Sequence, residues 1–269
     1  MNDVSAFPMA EATFKACQLA HQFINARVRP RAVQALEAAP SDANTFYGAL
    51  LRVVAWTHTL SKLNEPIDFQ AGIVASRTLF EIALDVTLMH FDPTTYPPAK
   101  LLAWEDSSKL KAAEKIRDYF HRHGEQPTIE FEPHVRYIAT NTARIGTLRA
   151  AYWNGKHPGN RWTGRNLRDD ARAATQLFSG GKFEQFYDTR YPQICWNTHG
   201  SGIAGIRNVR QEHFPGLSAF AFQACIEFAL VAAEIVLRQF GLWDAATAGE
   251  FDDAKTHRIV TAYATMAGL

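Results

Sequence analysis

Cysteine is scarce in this chain of 269 residues, which has only Cys17, Cys195 and Cys225, an odd number at wide spacing. A disulfide framework needs an even set of cysteines at regular spacing, so this composition excludes a disulfide-stapled secreted domain. The same scarcity favours a reducing compartment. We therefore expect a cytoplasmic protein.

An excess of charge of one sign is also missing. The 28 Lys and Arg residues are balanced by 27 Asp and Glu residues, which gives a formal net charge of +1. This balance excludes a global attraction to nucleic acid or to an anionic membrane. The hydrophobic share of 47% excludes extensive disorder.

Long apolar runs are nearly absent, and the exception is "GLSAFAFQACIEFALVAAEIVL" at 216–237. Glu227 and Glu234 interrupt it, and a carboxylate at mid-bilayer costs about 2.5–3.5 kcal/mol. We expect a buried core helix and no membrane partner. The start "MNDVSAFPMAEATFKACQLA" lacks a basic segment before an apolar block, so we do not expect secretion.

Alternation of period two, the mark of half-buried strands, is almost missing, and apolar residues recur at helical spacing throughout. The sequence shows no internal repeat and no low-complexity tract. It predicts an all-α fold, a single multi-helix bundle of about eight or nine helices. We expect one domain over 1–269, with its motif-bearing core at about 45–240.

Prolines and capping residues place the helix ends. We expect the first helix to stop before Pro30, and Asp68 and Asn166 to cap the helices that follow them. Gly124 fits the position after a helix C-terminus. Pro192 is expected to kink or restart the helix around 183–199.

Metal-ligand residue types cluster at "HRHGEQPTIEFEPH", but His121 and His123 are two positions apart and face different sides of a helix. No H-E-x-x-H or C-x-x-C pattern occurs. The sequence predicts no metal and no cofactor.

A local positive charge stands out at 136–172, where eight Lys or Arg residues meet only Asp169 and Asp170. Tyr152, Trp153 and Trp162 are interleaved with them, as phosphate binding combined with base stacking requires. Solvated helix faces are the other interpretation of such a stretch. The residues that we predict to bind phosphate are Trp162, Arg161, Arg165 and Arg168.

A polar stripe crosses the apolar stretch "VASRTLFEIALDVTLMH" at 74–90, where Arg77, Glu81 and Asp85 recur at steps of four. A buried charge without a partner costs several kcal/mol, so Arg77 must be paired, and Glu81 lies one turn away. The stripe either braces a neighbouring helix or forms part of a polar pocket.

A second polar face lies in "FYDTRYPQICWNTHGS", where four residues recur at steps of four and share a broad face of one helix. They are Tyr187, Tyr191, Cys195 and His199. We expect this helix to lie against the helix of Arg77, so that a guanidinium, a carboxylate, a phenol and an imidazole converge in a largely dry interior.

Three blocks, "SRTLFEIALDV", "RWTGRNLRDDA" and "YDTRYPQICWNTHGS", resemble the motifs of a bacterial all-helical domain family of unknown function. That family has an R-x-L-x-E helix, a W-[ST]-G loop and a Y-x-x-[LI]-S-x-x-x-H-[GP]-S helix, and the resemblance covers roughly residues 45–205. The sequence departs from the pattern at Cys195, in place of the usual serine, and at Pro192. The resemblance implies a helical fold and marks Arg77, Glu81, Trp162, Gly164, Tyr187, Tyr191, His199 and Ser201.

A weaker resemblance links the chain to the helical ribonucleases of toxin and phage-defence systems, whose site is R-x(4–6)-H. Arg190 and His199 are nine positions apart, which puts them on opposite faces of a straight helix. A break at Pro192, or Arg77 from another helix, would be needed to complete such a site.

Two classes of function follow. The first is a metal-independent enzyme that cleaves a phosphodiester or RNA, with His199, Arg77, Glu81 and Tyr191 as catalytic residues and RNA or a nucleotide-like phosphate as ligand. The second is a non-catalytic helical interaction module or a small-molecule sensor. A homodimer is compatible with the sequence.

Overall fold

The structure, a computed structural model of the chain, describes residues 8–37, 42–124, 129, 131–198 and 214–255. Across these ranges the secondary structure is helical and no strand occurs. The all-α prediction is therefore confirmed for the part of the chain that the structure describes.

The helices, in chain order, begin and end as follows. They are α1 (Pro8–Phe23), α2 (Arg29–Leu36), α3 (Ala43–Leu60), α4 (Phe69–Phe91), α5 (Pro98–His123), α6 (Glu132–Trp153), α7 (Leu167–Leu177), α8 (Phe183–Thr189), α9 (Tyr191–Thr198), α10 (Phe214–Gln239) and α11 (Ala245–Asp252). Short 3₁₀ turns occupy Pro66–Asp68 and Ser179–Gly181, and a π turn occupies Ile24–Val28.

The helices gather into two compact units. Unit 1 comprises residues 1–91 and 171–269, and unit 2 comprises residues 92–170. The boundary falls inside α7, after Asp170. That the whole chain behaves as one domain stays a prediction.

The core of unit 1 is built on α4 and α10, which pack along each other, with α1 and α3 also against α10. Gly72 permits the close approach, because a Cβ atom at this position would lie 2.5 Å from Cε2 of Phe222. Phe80, also on α4, extends the core with an aromatic cluster. Its ring contacts those of Phe183, Phe186, Tyr191 and Phe228.

The apolar segment Gly216–Gln239 of α10 is the one described helix that is long and apolar enough to cross a membrane, and 72% of its most apolar window is buried within the protein. Such burial is consistent with the core helix of a soluble protein. The cytoplasmic location stays a prediction.

Two predicted helix ends need comment. The first helix ends before Pro30 as predicted, but the chain does not leave the helical conformation there: the π turn at Ile24–Val28 leads directly into α2, which has proline in its first turn, where no N–H is needed. The second predicted end is wrong. Asp68 does not cap α4, since its carboxylate accepts the backbone N–H groups of Asn64 and Glu65 at 3.1 and 3.0 Å.

Three predicted features are confirmed. Gly124 follows α5 in the left-handed conformation with φ of 62°. Asn166 caps α7 by accepting the N–H of Asp169 at 2.9 Å. The helix at 183–198 breaks at Arg190, with Pro192 in the first turn of α9, where proline is tolerated.

Candidate functional site: the Arg77–Glu81–Tyr191 cluster

Arg77 and Glu81 form the ion pair that their spacing predicts. Arg77 Nε donates a hydrogen bond of 3.1 Å to Glu81 Oε1, one turn along α4. Both side chains are about one-third exposed, at 33% and 30%. Solvent screening therefore limits the pair to roughly 0.3–0.5 kcal/mol, the usual range for such helix pairs.

Tyr191 joins this pair from α9. Its hydroxyl donates a hydrogen bond of 2.9 Å to the same oxygen, Glu81 Oε1, and the guanidinium carbon of Arg77 lies 5.8 Å from the centre of its ring. Tyr191 is only 6% exposed, and its ring packs 5.4 Å from that of Phe80. The expectation that the helix of Arg77 lies against the helix of Tyr191 is confirmed.

The protonation of the cluster follows from its packing. Burial raises the pKa of the Tyr191 phenol well above its usual range, and the Glu81 carboxylate raises it further by its charge and by accepting the hydrogen bond. Burial by itself lowers the pKa of Arg77, but the bond to Glu81 and the nearby acidic groups outweigh it and raise that pKa. At neutral pH the phenol is therefore a donor and the guanidinium a cation.

The prediction of a largely dry interior is wrong for the charged members, because both are one-third exposed. The stripe lies at the rim of unit 1 and only the Tyr191 ring reaches the core. Arg77 uses Nε for Glu81, while Nη1 and Nη2 have no hydrogen-bond partner among the described residues. Two donors of a charged group are thus available to an anion from solvent.

Other members of the two polar faces surround the cluster. Tyr187 stacks on Tyr191 with ring centres 5.1 Å apart and an angle of 19° between the planes. Cys195 lies one turn further along α9 and is close enough to raise the pKa of both Arg77 and Tyr191. Asp85 is half-buried on α4.

His199 and Ser201 lie outside the described residues. Thr198, the residue before His199 in the sequence, is the last residue of α9. The convergence of His199 on Arg77 therefore stays a prediction.

The loop of Trp162 belongs to unit 2 and is built around a buried indole. Trp162 is 1% exposed and packs edge-on against Tyr96, with ring centres 5.9 Å apart. Its carbonyl accepts the indole N–H of Trp153 at 3.0 Å. Gly164 then turns the chain with φ of +80°, a conformation that glycine adopts without strain. The W-T-G motif thus has a structural role in positioning this loop.

A buried carboxylate in the first turn of α7 lies against the basic loop, and the sequence analysis did not predict it as a partner of the arginines. Asp170 is fully buried, and its Oδ2 accepts hydrogen bonds from Arg161 at 3.0 Å and from Thr163 at 2.9 Å. Arg165 lies 3.6 Å from the other oxygen and donates to the hydroxyl of Tyr96. The signal was present, because Asp169 and Asp170 are the only acidic residues among the arginines of 136–172.

These contacts determine which of the predicted phosphate-binding side chains are accessible to a ligand. Arg161 is matched by Asp170 within the fold, Trp162 is buried, and Arg168 is exposed on α7. Asn166 already caps the first turn of α7. The assignment of Trp162, Arg161, Arg165 and Arg168 to phosphate binding stays a prediction, for which the fold supplies a competing carboxylate.

A metal centre was not expected at the histidine-rich segment around 121–134. His121 and His123 are exposed at the end of α5, and Glu130 lies outside the described residues. Within the described ranges, no group of three or more His, Cys, Asp or Glu side chains is arranged to hold a metal ion.

Comparisons with family models, with curated proteins and with solved structures find no match to this chain. The resemblance drawn from the three motif blocks therefore stays a prediction. The function must be argued from the clusters themselves.

Proposed function

We propose that unit 1 carries a metal-independent site that binds and cleaves a phosphodiester, with RNA as the substrate class. The observation that supports this most is the half-used guanidinium of Arg77. Its Nε is fixed by Glu81 while Nη1 and Nη2 have no partner among the described residues, and the side chain is 33% exposed. A positioned, charged pair of donors is the geometry that phosphate oxygens favour.

The roles of the other residues follow from their chemistry. Glu81 holds Arg77 in one orientation, and Tyr191 fixes Glu81 from the opposite helix with its 2.9 Å hydrogen bond. His199, the residue after α9 in the sequence, is the proposed general acid or base, because an imidazole changes charge near neutral pH. Arg77 would neutralise charge on the phosphate as the ester bond breaks.

A second candidate is a non-catalytic helical module. Glu81 Oε1 accepts hydrogen bonds from both Arg77 and Tyr191, so one carboxylate oxygen links the three side chains. A cluster of this kind can join α4 to α9 without any ligand. In this alternative the surface binds a protein partner or a small molecule and no bond is broken.

Cleavage of a labelled single-stranded RNA by the purified protein separates the candidates. We expect His199→Ala to lower the rate by roughly a hundredfold or more, the usual contribution of a general acid–base group. Arg77→Gln should lower it by a similar factor, because it removes the charge that stabilises the phosphate in the transition state. Arg52→Gln, a change at an exposed arginine of α3, is the matched control and should retain activity.

Thermal melting of the same variants completes the design. Loss of cleavage with an unchanged Tm supports the proposed enzyme. If the wild-type protein binds nucleotides but does not cleave RNA, the result would support a small-molecule sensor. If it neither binds nucleotides nor cleaves RNA, the result would support the interaction module. Either result would contradict the proposed cleavage.

A further inference from the structure

A second cationic cluster lies wholly within unit 2, where α5, α6 and the loop after α6 meet. Helix α6 ends at Asn154, which is in the left-handed conformation, and the N–H of Gly155 caps the helix by donating to the carbonyl of Arg149 at 3.0 Å. The indole N–H of Trp104 on α5 holds the far end of the loop through the carbonyl of Gly159, at 3.3 Å. His157 lies between these two attachments in the sequence.

The ring of His157 has a defined tautomer. Its Nδ1 accepts the backbone N–H of Gly159 at 3.0 Å, so the proton of the neutral ring is on Nε2. That Nε2 is buried and has no hydrogen-bond partner among the described residues. Buried donors are nearly always satisfied in folded proteins, and an exception requires an explanation.

Two cations, Lys111 and Arg149, lie close enough to His157 to act on its ring electrostatically. Arg149 donates from Nε to the Ser107 hydroxyl at 2.7 Å and from Nη2 to the Ser107 carbonyl at 3.3 Å. Lys111 follows Ser107 by one turn on α5, so both lie on the same face of that helix. Burial lowers the pKa of His157, and the charges of Lys111 and Arg149 lower it further. No ion pair to a carboxylate is formed by Lys111 or Arg149 within the described part of the chain.

We propose that the corner formed by Lys111, Arg149 and His157 binds a phosphate group. The corner supplies two positive charges and one neutral donor from three different elements. A tetrahedral anion with several acceptor oxygens matches that set better than a carboxylate, which brings a single charge and two oxygens. Metal ions are repelled by the same charges. This site is separate from the proposed cleavage site in unit 1 and does not depend on it.

The three side chains of the corner differ in how accessible they are to a ligand. Nε2 is covered in the structure, whereas Lys111 is exposed and Arg149 is half-buried. A phosphate therefore meets the two cations first. A phosphate bound to these cations is expected to shift the ring nitrogen resonances of His157 through its charge.

Titration of the full chain with inorganic phosphate at constant ionic strength, followed by ¹⁵N NMR of the histidine rings, tests the proposal. We expect saturable binding and a shift of the His157 Nε2 resonance. Lys111→Gln should weaken the affinity roughly tenfold, as expected for the loss of one charge-assisted contact. Lys109→Gln, the same change at another exposed lysine of α5, is the matched control and should leave the affinity unchanged.

A short single-stranded DNA oligonucleotide distinguishes the source of the phosphate, since it carries phosphodiesters but lacks the 2′-hydroxyl that RNA cleavage uses. Competition between DNA and inorganic phosphate would assign the corner to a nucleic-acid backbone. Binding of inorganic phosphate alone would assign it to a free phosphate or a terminal phosphate. The proposal is overturned if neither probe saturates, if both lysine variants weaken binding equally, or if the His157 resonances stay unchanged at saturation.

Discussion

Tyr191 and Glu81 are 110 positions apart in the chain, and the tyrosine hydroxyl donates a 2.9 Å hydrogen bond to the glutamate carboxylate. The bond joins α9 to α4 at the point where the apolar core of unit 1 meets its polar rim. The tyrosine is 6% exposed and the glutamate side chain 30% exposed, so one end of the bond is dry and the other is in contact with water.

The first prediction concerns this bond. Tyr191→Phe should lower the free energy of unfolding by about 1–2 kcal/mol, because it removes a hydrogen bond to a charged acceptor that is only partly screened. Tyr187→Phe is the matched control, since the Tyr187 ring stacks but its hydroxyl has no hydrogen bond among the described residues. Urea denaturation of both variants gives the comparison, and equal losses would show that the hydroxyl of Tyr191 contributes nothing.

Alkaline pH should weaken the same contact. The pKa of Tyr191 is raised in the folded chain, so the folded state holds the phenol proton more tightly than the unfolded state does. The stabilisation is therefore fully present below the unfolded pKa of about 10 and is lost as the pH rises above it. We expect the stability of wild type to fall more steeply between about pH 10 and 11 than that of Tyr191→Phe. Parallel curves would refute this assignment.

The space around two helical glycines predicts opposite effects when each is replaced by alanine. Gly72→Ala places a Cβ atom 2.5 Å from Phe222 and should destabilise unit 1 by about 1–3 kcal/mol through overpacking. Gly48→Ala in α3 meets nothing within 4 Å and should stabilise the chain by about 0.5–1 kcal/mol, the ordinary helix preference for alanine. Thermal melts check the pair, and a neutral Gly72→Ala would show that α4 and α10 separate easily.

Asp170 is the residue of unit 2 whose replacement should be most damaging. Asp170→Asn removes a fully buried charge from Arg161, itself only 11% exposed, and should cost about 3 kcal/mol or more. Asp169→Asn, one position earlier and half-buried, should cost less than about 1 kcal/mol. Denaturant unfolding of the two variants tests this difference. Similar small losses would mean that Arg161 finds another partner.

Local structure could be predicted well from the sequence. The helical period gave the all-α class, the step of four gave the Arg77–Glu81 pair, and the residue types of Asn166 and Gly124 gave two helix ends. These features depend on contacts within about one helical turn, where spacing along the chain fixes spacing in space.

Tertiary structure decided what spacing could not. Only the fold brings Tyr191 onto Glu81, buries Asp170 among arginines and leaves His157 Nε2 without an acceptor among the described residues. Each depends on how one helix packs on another or where a loop closes. These long-range contacts determine which partner each side chain has and how exposed it is. The residue spacing along a single helix cannot predict them, because it specifies only which residues of that helix share a face.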